Sequence, residues 1–124
     1  MRTIKFRAWR EDKKAMVYPD DKFHFIAMGK LFKLDPCLQE NRYYEMPINI
    51  VIEQFTGLTD KNGKEIYEGD IARCCYPNDL QPYIGAVDYY TESACYALSG
   101  YEALLQHFDE ITVIGNIHEN PELL

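Results

Sequence analysis

From Cys74 to Leu124 the sequence contains no lysine and no arginine. That half of the chain therefore lacks the phosphate-facing cations that sequence-independent nucleic-acid binding needs. There are four cysteines but no Cys-x-x-Cys pair, so the paired spacing typical of a tetrahedral zinc site is missing and no disulfide frame is suggested. Nothing approaches a run of roughly 18 apolar residues, the length a membrane-spanning helix requires. The opening segment, Met1 to Arg7, alternates charge with apolar residues and lacks the apolar stretch of a signal peptide. A cytoplasmic protein with reduced thiols and no membrane association is expected. Histidine is sparse too. His24, His107 and His118 stand apart, with no carboxylate or nucleophile at motif spacing. No catalytic, cofactor-binding or metal-ligating residue is predicted.

What is present fits one domain of ordinary size: 124 residues, 47% hydrophobic and 27% charged, enough to bury a core without disulfides or metal. Ten Tyr, six Phe and one Trp favour strands and packed sheet faces. The net charge of −7 is unevenly spread. Residues 1–73 carry all 13 Lys and Arg against 12 acids, whereas residues 74–124 carry eight acids alone. The expected consequence is that the two parts complement each other, within one fold or across a subunit interface.

Hydrophobic alternation places Ile4, Phe6 and Ala8 on one face of a first strand and Lys5, Arg7 and Trp9 on the other. Met16-Val17-Tyr18 reads as its hairpin partner. Residues 22–47 show no clean period, and extended segments and loops are expected there. A β-branched run from Ile48 to Phe55 leads to Lys61-Asn62-Gly63-Lys64, where Asn-Gly predicts a hairpin with a type I′ turn. Short strands follow at 65–67, 71–76, 85–90 and 95–98, with a closing strand through Ile111, Val113 and Ile117. Tyr101, Leu104, Leu105 and Phe108 have helical spacing, so one short helix is predicted near residues 101–108. Pro121 after Asn120 suits the start of a final turn. The fold class expected is mainly β (β-rich α+β), a small twisted sheet curling into a partial, SH3-like barrel.

Three blocks carry a family resemblance: Lys5 to Trp9, Gln54 to Ile71 (QFTGLTDKNGKEIYEGDI) and Val113 to Leu124 (VIGNIHENPELL). Together they resemble the YopX family of small proteins carried by bacteriophages and prophages. His118 stands where that family commonly has an aromatic. The resemblance implies a phage or prophage origin, a bacterial cytoplasm and a β-rich fold. It brings no known activity and no catalytic residues.

Candidate chemistry is thin. In the Glu68-Gly69-Asp70 turn, Asp70 is expected to bind nearby backbone N–H groups and Gly69 to supply an unusual φ. Cys74 and Cys75 are adjacent on a strand and so point to opposite faces, which suits structural thiols better than a shared metal ion. Lys5, Arg7 and Trp9 form the candidate interaction face. They suit either an acidic protein surface from residues 74–124 or a stacked base and phosphate. The favoured reading is a non-enzymatic protein-interaction module that forms a homo-oligomer. The alternatives are a nucleic-acid-associated protein using that basic strand, and a metal or thiol enzyme built on Cys74, Cys95 and a histidine.

Overall fold

The computed structural model describes residues 3–34, 42–77, 80–101 and 103–124. Cys37, the Asn78-Asp79 part of the expected loop and Glu102 lie outside them. The chain is mainly β, 54% strand and 5% helix, with a strongly curled half-barrel sheet. Its contacts group into two compact units, Ile4–Gln54 and Phe55–Leu124.

In the first unit, β1 (Phe6–Arg10) pairs antiparallel with β2 (Ala15–Val17) on one side. On its other side it pairs with the first half of β6 (Ile50–Thr59), with Arg7 opposite Glu53. A second, three-stranded antiparallel sheet runs in the order β3 (His24–Ala27), β4 (Lys30–Leu34), β5 (Tyr43–Glu45). These three strands are the extended segments expected within residues 22–47.

In the second unit, the remainder of β6 pairs with β7 (Glu65–Tyr67), with a register shift between Phe55 and Thr59 where Gly57 takes a φ of 88°. A five-stranded antiparallel sheet is ordered β11 (Ala103–Leu104), β10 (Cys95–Leu98), β9 (Tyr83–Tyr90), β8 (Asp70–Cys75), β12 (Glu110–Asn116). Ile66, Ala72, Cys74, Val87, Leu98, Leu105 and Phe108 form its buried core. The helical turn expected within 101–108 is a 3-10 turn at Leu105–His107, which puts Leu105 into that core. Gly85 lies against the backbone carbonyl of Ser99; a Cβ there would come within 2.6 Å of that oxygen.

Two turns depart from expectation. At Asn62-Gly63 only Gly63 has a positive φ (80°), so the turn is not type I′. The Gly63 N–H donates to the Asp60 carbonyl, and the Asp60 N–H donates to that of Lys64. The loop is thus a three-residue connection with glycine in the left-handed position. Asp60 explains the difference, because its side chain already accepts from Asn62 N–H and Lys64 N–H, fixing the tighter first half of the turn. A two-residue connection with positive φ at both centres occurs instead between β3 and β4, at Met28 (φ 54°) and Gly29 (φ 71°).

Candidate functional site

The face expected from Lys5, Arg7 and Trp9 is not available on the surface. Arg7 is 1% exposed and Trp9 3% exposed. The alternation misleads because Arg7, Ala8, Trp9 and Arg10 are buried in succession, so side chains on both faces of the strand from Arg7 onward are covered. Arg7 Nε donates to Glu53 Oε1 at 2.9 Å, and its guanidinium lies 5.9 Å from the centre of the Tyr18 ring. Glu53, which meets Arg7, lies within the same unit. A ring this covered cannot stack a base.

An exposed aromatic cluster lies on β3–β4–β5. Cross-strand register puts Phe25, Phe32, Leu34 and Tyr43 on one face and Ile26 and buried Leu31 on the other. The Phe25 and Phe32 rings stack at 5.0 Å, and Tyr43 meets Phe25 edge-on at 4.6 Å. Phe23, Phe25 and Tyr43 remain exposed. Lys30 and Glu45 close the rim of this face as an ion pair at 3.4 Å. Beside it, a groove of about 280 Å³ is lined by Ile4, Lys5, Phe6, Tyr18, His24 and Phe25 among others. No clean period marks this region because its aromatics gather on an outer face while Leu31 alone is buried on the other.

His24 is paired with a carboxylate. Its Nδ1 lies 3.1 Å from Asp21 Oδ1, and its Nε2 lies 3.5 Å from Arg10 Nη1. With Nδ1 donating to the carboxylate, Nε2 accepts from the guanidinium. That nitrogen is occupied, so the dyad is not arranged as a general base. Arg10 is held in turn by both oxygens of Asp12, at 3.0 and 2.8 Å. Asp21 Oδ1 also accepts the backbone N–H groups of Phe23 and His24. Burial raises the Asp21 pKa, but these bonds and the nearby His24 outweigh it and leave the carboxyl below its usual value.

The Cys74 thiol is inert by position. Burial, with a smaller contribution from Cys75, pushes the Cys74 thiol up to about 12, so it carries almost no thiolate at neutral pH. Cys75 is half-buried on the opposite face of the strand. Among the described residues no group of three or more His, Cys, Asp or Glu is placed to hold a metal ion. None of their helices is long and apolar enough to cross a membrane.

The polar residues of the family-like blocks make turns. Asp60 Oδ2 accepts Val113 N–H at 3.0 Å, tying the hairpin to β12. Asp70 accepts Tyr67 N–H, and Gly69 takes a φ of 83°. Asn116 Oδ1 accepts from His118 and Glu119, while Asn120 Oδ1 returns to Asn116 N–H. Gly115 leaves the room for Asn120, whose Oδ1 would lie 2.5 Å from a Cβ at that position. Pro121 opens the final 3-10 turn, Pro121–Leu123.

These are the features of a mainly β protein whose polar signature residues build turns. The YopX protein family matches residues 5–124, and the chain belongs to that family. Among solved structures it is similar to protein EF1440 from Enterococcus faecalis, at 27% identity and a TM-score of 0.64, covering 100% of this chain and 99% of that one. It shares its fold with protein yopX from Bacillus subtilis, at 20% identity and a TM-score of 0.61, over the same shares of the two chains. Comparison with curated proteins gives no match.

Proposed function

We propose that this chain is a non-enzymatic protein-interaction module of phage or prophage origin, working in the bacterial cytoplasm and associating with copies of itself. The observation behind this reading is the exposed aromatic face of Phe23, Phe25 and Tyr43, with Phe32 stacked beneath. Aromatic side chains in a patch poor in charge are the usual anchors of protein contacts. Nucleic acid suits the same face less well. On its rim Lys30 is paired with Glu45, and Asp20 and Asp21 precede Lys22 and Phe23, whereas backbone binding draws on several cations. The protonated Cys74 thiol and the occupied Nε2 of His24 favour a role without catalysis.

Size-exclusion chromatography with light scattering tests the reading. The expected result is a mass above that of the monomer at micromolar concentration, reverting to monomer in the F25S/Y43S variant. A monomeric wild-type chain overturns it. Titration of labelled single-stranded DNA at low ionic strength should show no binding.

A further inference from the structure

We infer that the corner formed by Asp60 and Lys61, in the loop between β6 and β7, is a plug on the edge of β12. It keeps residues 111–114 from pairing with the same segment of a second copy. The plug is separate from the aromatic face of the self-association proposed above and does not depend on it.

β12 is the last strand of the five-stranded sheet, and among the described residues its strand partner is β8, on one side. Its middle reads Ile111-Thr112-Val113-Ile114, four β-branched residues in a row, and the strand's one charge is Glu110 at its start. An open edge of that composition is a template for another chain. The fitting partner is the same segment of a second copy, because identical strands pair every backbone group along their length.

The loop occupies that edge. Lys61 N–H donates to the Ile111 carbonyl at 3.0 Å, and Asp60 Oδ2 accepts the Val113 N–H at 3.0 Å. A single residue of an added parallel strand would take this same carbonyl and N–H. Here the donor comes from backbone and the acceptor from a side chain, and the loop turns back at Gly63 (φ 80°) without extending the sheet. Asp60 Oδ1 accepts the N–H groups of Asn62 and Lys64, each at 2.9 Å. One buried carboxylate therefore ties the turn to the edge.

D60N separates the two tasks of this side chain. A carboxylate accepts on both oxygens, whereas a carboxamide has one oxygen and an N–H₂ donor. With the oxygen kept by the two turn N–H groups, the variant sets a donor against Val113 N–H. The turn retains its acceptor while the edge opens. I114K is the companion substitution, since Ile114 is exposed on the same strand and lysine on an edge opposes pairing.

Wild type, D60N and D60N/I114K are compared as full chains, with circular dichroism verifying the fold. Amide hydrogen exchange at Val113 should be about tenfold faster or more in both variants, as loss of a hydrogen bond to a charged group implies. By light scattering at micromolar concentration, D60N should form species larger than those of the wild type. D60N/I114K should return to the wild-type mass.

Unchanged exchange at Val113 overturns the plug. Faster exchange without larger species overturns the edge as a pairing surface, and so does association that I114K leaves intact. Should D60N not hold its fold, G63A loosens the loop through its turn instead. Exchange at Val113 and mass should then rise together by smaller factors, and absence of either rise overturns the inference. A monomeric wild type would remove self-association through the aromatic face and leave the plug standing.

Discussion

Arg7 and Glu53 face each other directly across β1 and β6, both buried, with Nε and Oε1 2.9 Å apart. The pair fixes strand register as well as charge. A slip of one residue would send the two side chains to opposite faces and leave each charge buried without the other.

Removing one partner should therefore cost far more than removing both. R7M or E53L alone should lower unfolding free energy by about 3–5 kcal/mol, the range for stranding a buried charge. The double variant R7M/E53L should recover a substantial part of that loss. Urea denaturation of the four proteins provides the cycle, and additive single effects would refute the coupling.

The turn at Met28-Gly29 invites a stabilising substitution. Met28 holds a φ of 54° and is almost fully exposed, and left-handed backbone costs a side-chain-bearing residue about 1–2 kcal/mol. Asparagine tolerates that conformation best. M28N should raise stability by about 0.5–1 kcal/mol, as turn optimisation commonly does. At the other hairpin G63A should destabilise by about 1 kcal/mol, because of its φ of 80°. N62A should change little. Thermal melting distinguishes these outcomes, and a large N62A effect would contradict the assigned turn.

Acid should weaken the fold through carboxylates whose protonation is opposed by the native state. For Asp60, burial raises the pKa, but the N–H groups of Val113, Lys64 and Asn62 and the charge of Lys64 outweigh it and leave it below 3.8. Asp21 and Asp12 are lowered as well, Asp12 through Arg10. A depressed folded pKa contributes stability above the unfolded value, and this is lost as pH falls through the folded one. Stability should thus hold from pH 7 to about pH 4 on account of these groups and decline below it. D60N should already be weaker at pH 7 and lose less between pH 4 and pH 2, as read from denaturant midpoints.

Thiol chemistry should separate neighbours in sequence. In the native protein at pH 8, Cys75 should react with a maleimide while Cys74, buried and shifted to about 12, should react only on unfolding. Peptide mapping by mass spectrometry reads both. Rapid native labelling of Cys74 would remove the case against a thiol nucleophile.

The strands were legible wherever β-branched and aromatic residues alternate, as from Ile48 to Phe55, because that pattern is what a pleated surface selects. The turn roles of Gly69, Asp70 and Pro121 were legible for the same kind of local reason. The burial of the first strand was not. Arg7 and Trp9 look like a surface pair in one dimension, but both are buried, and the Arg7–Glu53 contact spans 46 residues. The β3–β4–β5 aromatics were equally hidden, since only register reveals that Phe25, Phe32 and Tyr43 converge. Met28-Gly29 lacks the side chain that normally announces its turn.

The Asn62-Gly63 loop has a further consequence, for chemical ageing. Asn-Gly is the sequence most prone to succinimide formation, in which the glycine nitrogen attacks the asparagine carboxamide. In the folded hairpin the Gly63 N–H is engaged by the Asp60 carbonyl at 3.0 Å, and the Asn62 N–H by the Asp60 carboxylate at 2.9 Å. The backbone must leave this arrangement before the nitrogen reaches its target. The rate at which Asn62 converts to isoaspartate is therefore a slow clock that runs on the open fraction of the hairpin and stands nearly still while the loop is closed.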